Sequence, residues 1–202
     1  MEQMTVTAKI QISVTTDSRR LLDETMAAYS DACNYVSAYV FRTHDLKQFS
    51  LNKILYSILR EKFGLKSQMA QSVFKTVIAR YKSILENQKE WIKPFFKKPQ
   101  YDLVWNRDYS LTQNCFSVNT LNGRVKLSYF SGGMSKYFDH TIYKFGTAKL
   151  VNKCGKYFLH IPVTYDMEES NISDLCNVVG IDRGINFVVA TYDSRHKSGF
   201  IC

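Results

Sequence analysis

Between residues 4 and 15 apolar and polar positions alternate, with Met4, Val6, Ala8, Ile10, Ile12 and Val14 set against polar neighbours, the pattern of a half-buried strand. The polar run Thr15-Thr16-Asp17-Ser18 then supplies N-caps. From Arg19 to about Arg42 the period changes: Leu22, Met26, Tyr29, Cys33, Val36 and Val40 recur at spacings of three and four, one face of a helix. A second helix is predicted from Ser50 or Leu51 to just before Gly64, carrying Ile54, Leu55, Ile58 and Leu59. Ser67 is the expected cap of a third, whose apolar positions are Ala70, Val73, Phe74, Val77, Tyr81, Ile84 and Leu85. Prolines at 94 and 99 break the helical pattern.

From 100 to 165 the chain reads as short strands: DYSLT, CFSVNT, VKLSYF after an LNGR turn, GTAKLVNK and KYFLHIPVTY. Cys154-Gly155 stands at the tight turn of a hairpin, with alternation on both sides. A strand, a helical block and then several antiparallel strands predict an α+β fold. Its centre would be an antiparallel β-barrel from residues 1–16 and 97–168, interrupted by a helical insertion over 17–96. The acidic segment DMEESNISDL reads as a linker to a last β element.

Charge narrows the class of partner. Lys and Arg number 27 against 18 Asp and Glu, a formal net charge of +9 over 202 residues. Such a balance favours polyanions through phosphate neutralisation and counterion release; the alternative is a protein that is merely basic. The stretch WIKPFFKKP sets Lys93, Lys97 and Lys98 among aromatics. It suits a phosphate backbone with bases stacked beside it, or a linker whose aromatics anchor it and whose lysines are solvated. Arg124 and Lys126 are phosphate contacts on the barrel, or part of a solvated face. The five cysteines are scattered, without zinc-ribbon or disulfide-framework spacing, so no zinc site is expected in this chain. With no apolar run long enough to span a bilayer and no signal-peptide layout, the expected location is cytoplasmic and nucleoid-associated, with no membrane partner.

One carboxylate stands out. In VVGIDRGINF an apolar run ends at Asp182, followed by Gly184. An aspartate fixed at a strand end can hold Mg2+, and the glycine lets a phosphate approach. Equally, D-x-G is a common turn in which the carboxylate caps a backbone N–H. Two-metal phosphodiester cleavage needs several carboxylates, which one aspartate does not supply.

The wider stretch NVVGIDRGINFVVATYDS resembles the first catalytic strand of the RuvC nuclease domain in the TnpB family. These are transposon-encoded, RNA-guided DNA endonucleases related to the type V CRISPR effectors. Val179-Gly180-Ile181-Asp182-Arg183-Gly184-Ile185 matches the family's V-G-I-D-x-G-I, and Phe187-Val188-Val189-Ala190 its second strand. Upstream, SQMAQSVFKTVIARYKSILE, the Phe/Lys/Pro stretch, LNGRVKL and GTAKLV…KYFLHIPV look like the family's recognition and wedge domains, so the resemblance spans the whole chain.

The resemblance implies a wedge barrel, a helical recognition insertion and, over 176–202, an incomplete RNase H-like (RuvC) domain. It implies guide RNA and double-stranded target DNA as partners, magnesium at the complete site, and Asp182 as catalytic residue and first metal ligand. Gln71, near the start of the third helix, and Thr112, in the barrel, take positions that approach the target-adjacent duplex in the family. Glutamine can pair bidentately with adenine. Read without the family, Gln71 is an exposed helix residue and Thr112 a strand residue. Leu51 stands where some members carry an aromatic. The family's later glutamate, zinc-ribbon cysteines and second aspartate have no counterpart here. The expectation is therefore a truncated or split member, or the N-terminal portion of a longer product, that cleaves only if the missing RuvC parts are supplied, a second polypeptide being one source of them. The alternative is a non-cleaving nucleic-acid-binding regulator of the same descent. G-I-D-x-G is shared too with the phosphate loop of actin-like ATPases, although Ile185-Asn186-Phe187 supplies no hydroxyl here.

Overall fold

The structure is a computed structural model and describes residues 2–112, 115–130, 132–139, 142–167, 179–182, 189–193 and 197–201. The chain divides into two units, Met4–Tyr165 and a second made of Met1–Gln3 with Asp166–Cys202.

In the first unit the helical periodicity becomes three helices, α1 (Thr16–Thr43), α2 (Gln48–Lys62) and α3 (Ser67–Gln88). Thr15 begins α1 with a reciprocal capping box: its hydroxyl accepts the Ser18 N–H at 3.2 Å, and the Ser18 hydroxyl accepts the Thr15 N–H at 2.8 Å. The helix therefore starts at Thr16, three residues before the apolar period does. Its face Leu22, Met26, Tyr29, Cys33, Val36 and Val40 is buried as the spacing predicts. In α2 only the i, i+4, i+8 row of Leu51, Leu55 and Leu59 is buried, and Ile54 turns outward. The start of α2 at Gln48 follows from Asp45, whose carboxylate accepts the Lys47 N–H at 2.8 Å and turns the chain ahead of Ser50.

Eight strands complete this part: β1 (Glu2–Ile12), β2 (Gln100–Leu103), β3 (Tyr109–Thr112), β4 (Cys115–Thr120), β5 (Gly123–Ser128), β6 (Lys144–Phe145), β7 (Ala148–Lys153) and β8 (Lys156–Met167). One sheet runs β1-β8-β7-β2, with β6 also paired to β8; a second runs β3-β4-β5. The β7–β8 hairpin turns at Cys154 and Gly155, with φ +50° and +77°, the double positive φ that a tight primed turn requires. Ile12 bridges Tyr129, and the Ser13 N–H donates to the Ser128 carbonyl at 2.8 Å, so the end of β1 touches the strand end of the second sheet.

The barrel expected from the sequence is not closed among the described residues. Between β2 and β3 the chain curls into a loop in which the Val104 carbonyl accepts the Asp108 N–H at 2.7 Å, while the Asp108 carboxylate accepts the Val104 N–H at 3.0 Å. Backbone groups that a β2–β3 ladder would use are spent on this loop, and a single bridge, Trp105 to Tyr109, remains. The alternating faces of the strands and the apolar faces of the helices bury one continuous cluster, including Ala8, Ile10, Phe74, Tyr101, Leu150 and Ile161.

The second unit contains β9 (Val179–Asp182), β10 (Val189–Asp193) and β11 (Lys197–Ile201), antiparallel in the order β11-β10-β9. Asp182 pairs with Ala190 across the ladder. Val179, Ile181 and Tyr192 are exposed. Arg183 to Val188, including Gly184, lie outside the described residues, as does most of the acidic linker.

Candidate nucleic-acid interface

While one face of α3 enters the core, the stripe Ser72, Lys75, Thr76, Ala79, Arg80 and Ser83 recurs at helical spacing on the side toward α1 and β2. Alternate residues of the β2 segment, Gln100, Asp102 and Val104, and of the β7 segment, Thr147 and Lys149, point the same way. Together with Phe95 to Lys98 and part of α1 these surfaces enclose a cleft of about 800 Å³. Its lining includes Lys75, Arg80, Lys97, Lys98 and Lys149 against a single carboxylate, Asp102.

Asp102 is tied into the cleft floor. One oxygen accepts the Thr76 hydroxyl at 2.6 Å and the Tyr29 hydroxyl at 3.2 Å; the other lies 3.4 Å from Lys149 Nζ, its register partner on β7. Burial, with the Asp102 charge added, pushes the Tyr29 hydroxyl well above the usual tyrosine range and fixes it as a neutral donor. Burial and then Asp102 also push the Cys33 thiol up, so this cleft cysteine stays protonated and is no nucleophile. Asp102 thus offsets Lys149, and the remaining four cations set the sign of the cleft.

The linker is clamped, not draped. Ser37 and Asn34 stand about one turn apart on α1. The Ser37 hydroxyl donates to the Pro94 carbonyl at 2.8 Å, and the Asn34 amide brackets Phe96, accepting its N–H at 2.8 Å and donating to its carbonyl at 3.1 Å. Pro94 is buried, and Phe95 between these anchors is 65% exposed. Lys97 Nζ lies 5.7 Å from the Phe95 ring centroid.

Of the residues singled out by sequence, Lys97 and Lys98 meet in this cleft, while Lys93 is exposed nearby on the linker and does not line it. Arg124 and Lys126 share the outer face of β5; the Arg124 guanidinium donates to the Ser117 hydroxyl at 3.2 Å and the Ser110 hydroxyl at 3.4 Å. Gln71 is half-buried, its amide donating to Asn52 at 2.8 Å and accepting from Gln48 at 3.4 Å, a carboxamide trio between α2 and α3. Thr112 is exposed and donates to the Cys115 carbonyl at 2.9 Å across its own hairpin. Asp182 closes β9, and its side chain lies outside the described residues. Trp91 donates to the Phe41 carbonyl at 3.0 Å and stacks on His44 with centroids 4.4 Å apart, an anchor for the linker.

The sequence reading missed Lys75, Arg80, Lys149 and Asp102. The signal was present in the polar stripe of α3 and the charged alternation of β2 and β7, but their meeting is a tertiary fact. Opposite Lys149 on β8 stands His160; partial burial, and then the charges of Lys153, Lys9 and Lys149, hold its imidazole below the ordinary value. Cations therefore continue from the cleft onto the sheet.

The chain is similar in fold to a CRISPR-Cas12f effector. The likeness is to a cryo-EM structure of a CRISPR-Cas12f ternary complex, at a TM-score of 0.50 and 10% identity, covering 91% of this chain. The chain spans about half of that protein, 47% of its length. A Cas12f1–sgRNA–target DNA complex matches at a TM-score of 0.43 and 9% identity, over 99% of this chain and 66% of that one. No protein-family model matches the chain. Among the described residues no helix is long and apolar enough to cross a membrane, and no group of three or more His, Cys, Asp or Glu could hold a metal ion.

Proposed function

We propose that this chain binds nucleic acid in the cleft between α1, α3, the 95–98 linker and β2/β7, as part of an RNA-guided DNA endonuclease of the TnpB and Cas12f kind. The observation that carries the reading is the cleft itself: five cations from three separate segments converge on it, with one carboxylate already tied to Lys149. The fold likeness and the VGIDRGI stretch support the same reading from independent directions. In this proposal guide RNA and target DNA are the polyanions, residues 1–16 and 97–168 act as the wedge, 17–96 as the recognition insertion and 176–202 as RuvC strands.

The chemistry follows from the donors. Lysine ammonium groups act as point charges on phosphates and give affinity without sequence preference, while the Arg80 fork can grip one phosphate bidentately. For Gln71 to read an adenine edge, its amide must leave Asn52 or turn its free lone pair outward. Thr112 would likewise exchange its hairpin bond for one to DNA. Asp182 is proposed as a magnesium ligand on the resemblance alone; cleavage needs further carboxylates around it.

The test is anisotropy titration of labelled RNA and DNA against salt. Affinity should fall steeply between about 50 and about 200 mM salt, as expected when several phosphates are neutralised. Asp182→Ala should leave this binding intact. Failure to bind either nucleic acid at the lower salt overturns the proposal.

A further inference from the structure

We infer that Phe95 is a stacking platform for an unpaired base, so that the cleft takes a single-stranded segment rather than a stretch of duplex. This deepens the proposed function and rests on it.

Exposed phenylalanines are common and mean little singly. Phe95 differs in three ways. Its backbone is held on both sides, by Ser37 at Pro94 and by Asn34 at Phe96, with the Ser30 hydroxyl donating to the Lys98 carbonyl at 3.4 Å beyond. An aromatic fixed in this way binds without first being ordered, which removes much of the entropic cost of contact. It also lines a concave surface, with Lys97 and Lys98 next along the chain. The Lys97 ammonium at 5.7 Å shows that a cation and the ring already share one place, as stacking beside a phosphate requires.

Size decides between single strand and duplex. A cleft of about 800 Å³ is in the range of sites for small organic ligands, room for roughly one or two nucleotides and not for a turn of double helix. Bases within a duplex are already stacked and paired, so the ring has nothing to gain from them. A base with a free face gains a partner, whatever its identity. The cleft therefore selects strandedness and not sequence.

The test compares a fluorescein-labelled single-stranded RNA with a duplex of the same length, on the full chain. Phe95→Ala should weaken single-strand binding about tenfold, the scale of one lost base–aromatic stack, while leaving duplex affinity and the single-strand salt slope unchanged. Phe95→Trp should restore the affinity, and its added indole emission over wild type should be quenched by single-stranded RNA. The double change Lys97→Gln with Lys98→Gln should weaken single-strand binding and lower its salt slope, with a smaller effect on the duplex. Loss of single-strand and duplex affinity in equal measure in Phe95→Ala, or no loss, overturns the inference while the proposed function stands. If wild type binds neither ligand, both fall together.

Discussion

Arg124 on β5 reaches across its own sheet to Ser117 and Ser110, whereas in the cleft it is the backbone under Lys97 and Lys98 that is fastened, leaving the ammonium groups to reach inward. Both regions are basic. On the sheet the side chain is oriented by neighbours and the surface is open; in the cleft the scaffold is rigid and the charges swing from it. Net charge alone does not distinguish them. What separates a binding cleft from a solvated face is convergence: cations from α3, the linker and β7 focus on one concavity, where fields add and solvent screening is weaker.

The largest effect that tests this contrast is on affinity. Replacing Lys75, Arg80, Lys97 and Lys98 together by Gln should lower the slope of log affinity against log salt by about three and weaken binding more than about a hundredfold. Arg124→Gln with Lys126→Gln should reduce the slope by less than about two. A larger loss from the sheet pair would reverse the assignment. Next is the cleft floor: Asp102→Ala should cost about 2–4 kcal/mol of stability in urea unfolding, because Lys149, Thr76 and Tyr29 are left around a lost acceptor. A midpoint equal to wild type would show that Asp102 is not a structural tie.

Smaller still, Asn34→Ala should destabilise by about 1–2 kcal/mol, since it releases both the N–H and the carbonyl of Phe96. It should also blunt any effect of Phe95 on binding, which the same anisotropy titration measures. The smallest effect concerns pH. With its folded-state pKa held below the unfolded value, His160 takes up a proton more readily in the unfolded chain. Its contribution to stability is present above about pH 6.5 and is lost as pH falls through the folded value. Melting temperatures of wild type should drop more on acidification than those of His160→Gln; parallel curves would remove His160 from the account.

Much of the helical part was legible because burial there obeys a single period. The α1 face was predicted residue by residue, and the Cys154-Gly155 turn announced its hairpin. The start of α2 was missed because the organising residue, Asp45, works through its side chain from outside the apolar pattern. Barrel closure is not seen among the described residues: alternation shows that strands exist, but not that the backbone groups of Val104, Asp108 and Tyr109 go to a loop between β2 and β3. For the site, WIKPFFKKP indicated charge and aromatics, yet only the fold shows that Phe95 faces out between two anchored neighbours and that Lys75, Arg80 and Lys149 join it. Gln71 was reached through resemblance, and the fold adds that its amide is already engaged with Asn52 and Gln48.

The pairing of β1 has a consequence in time. Its neighbour β8 lies at the far end of the first unit, and Thr5 meets Thr164 across 159 positions of sequence, at 2.8 Å. During synthesis β1 thus waits for a partner that is made only after three helices and most of the other strands. Until then its alternating apolar side chains have no sheet to join, a long-range closure of the kind that slows folding and invites association with other chains. Lys9, in the middle of that strand and exposed, is a charge well placed to keep the waiting segment solvated.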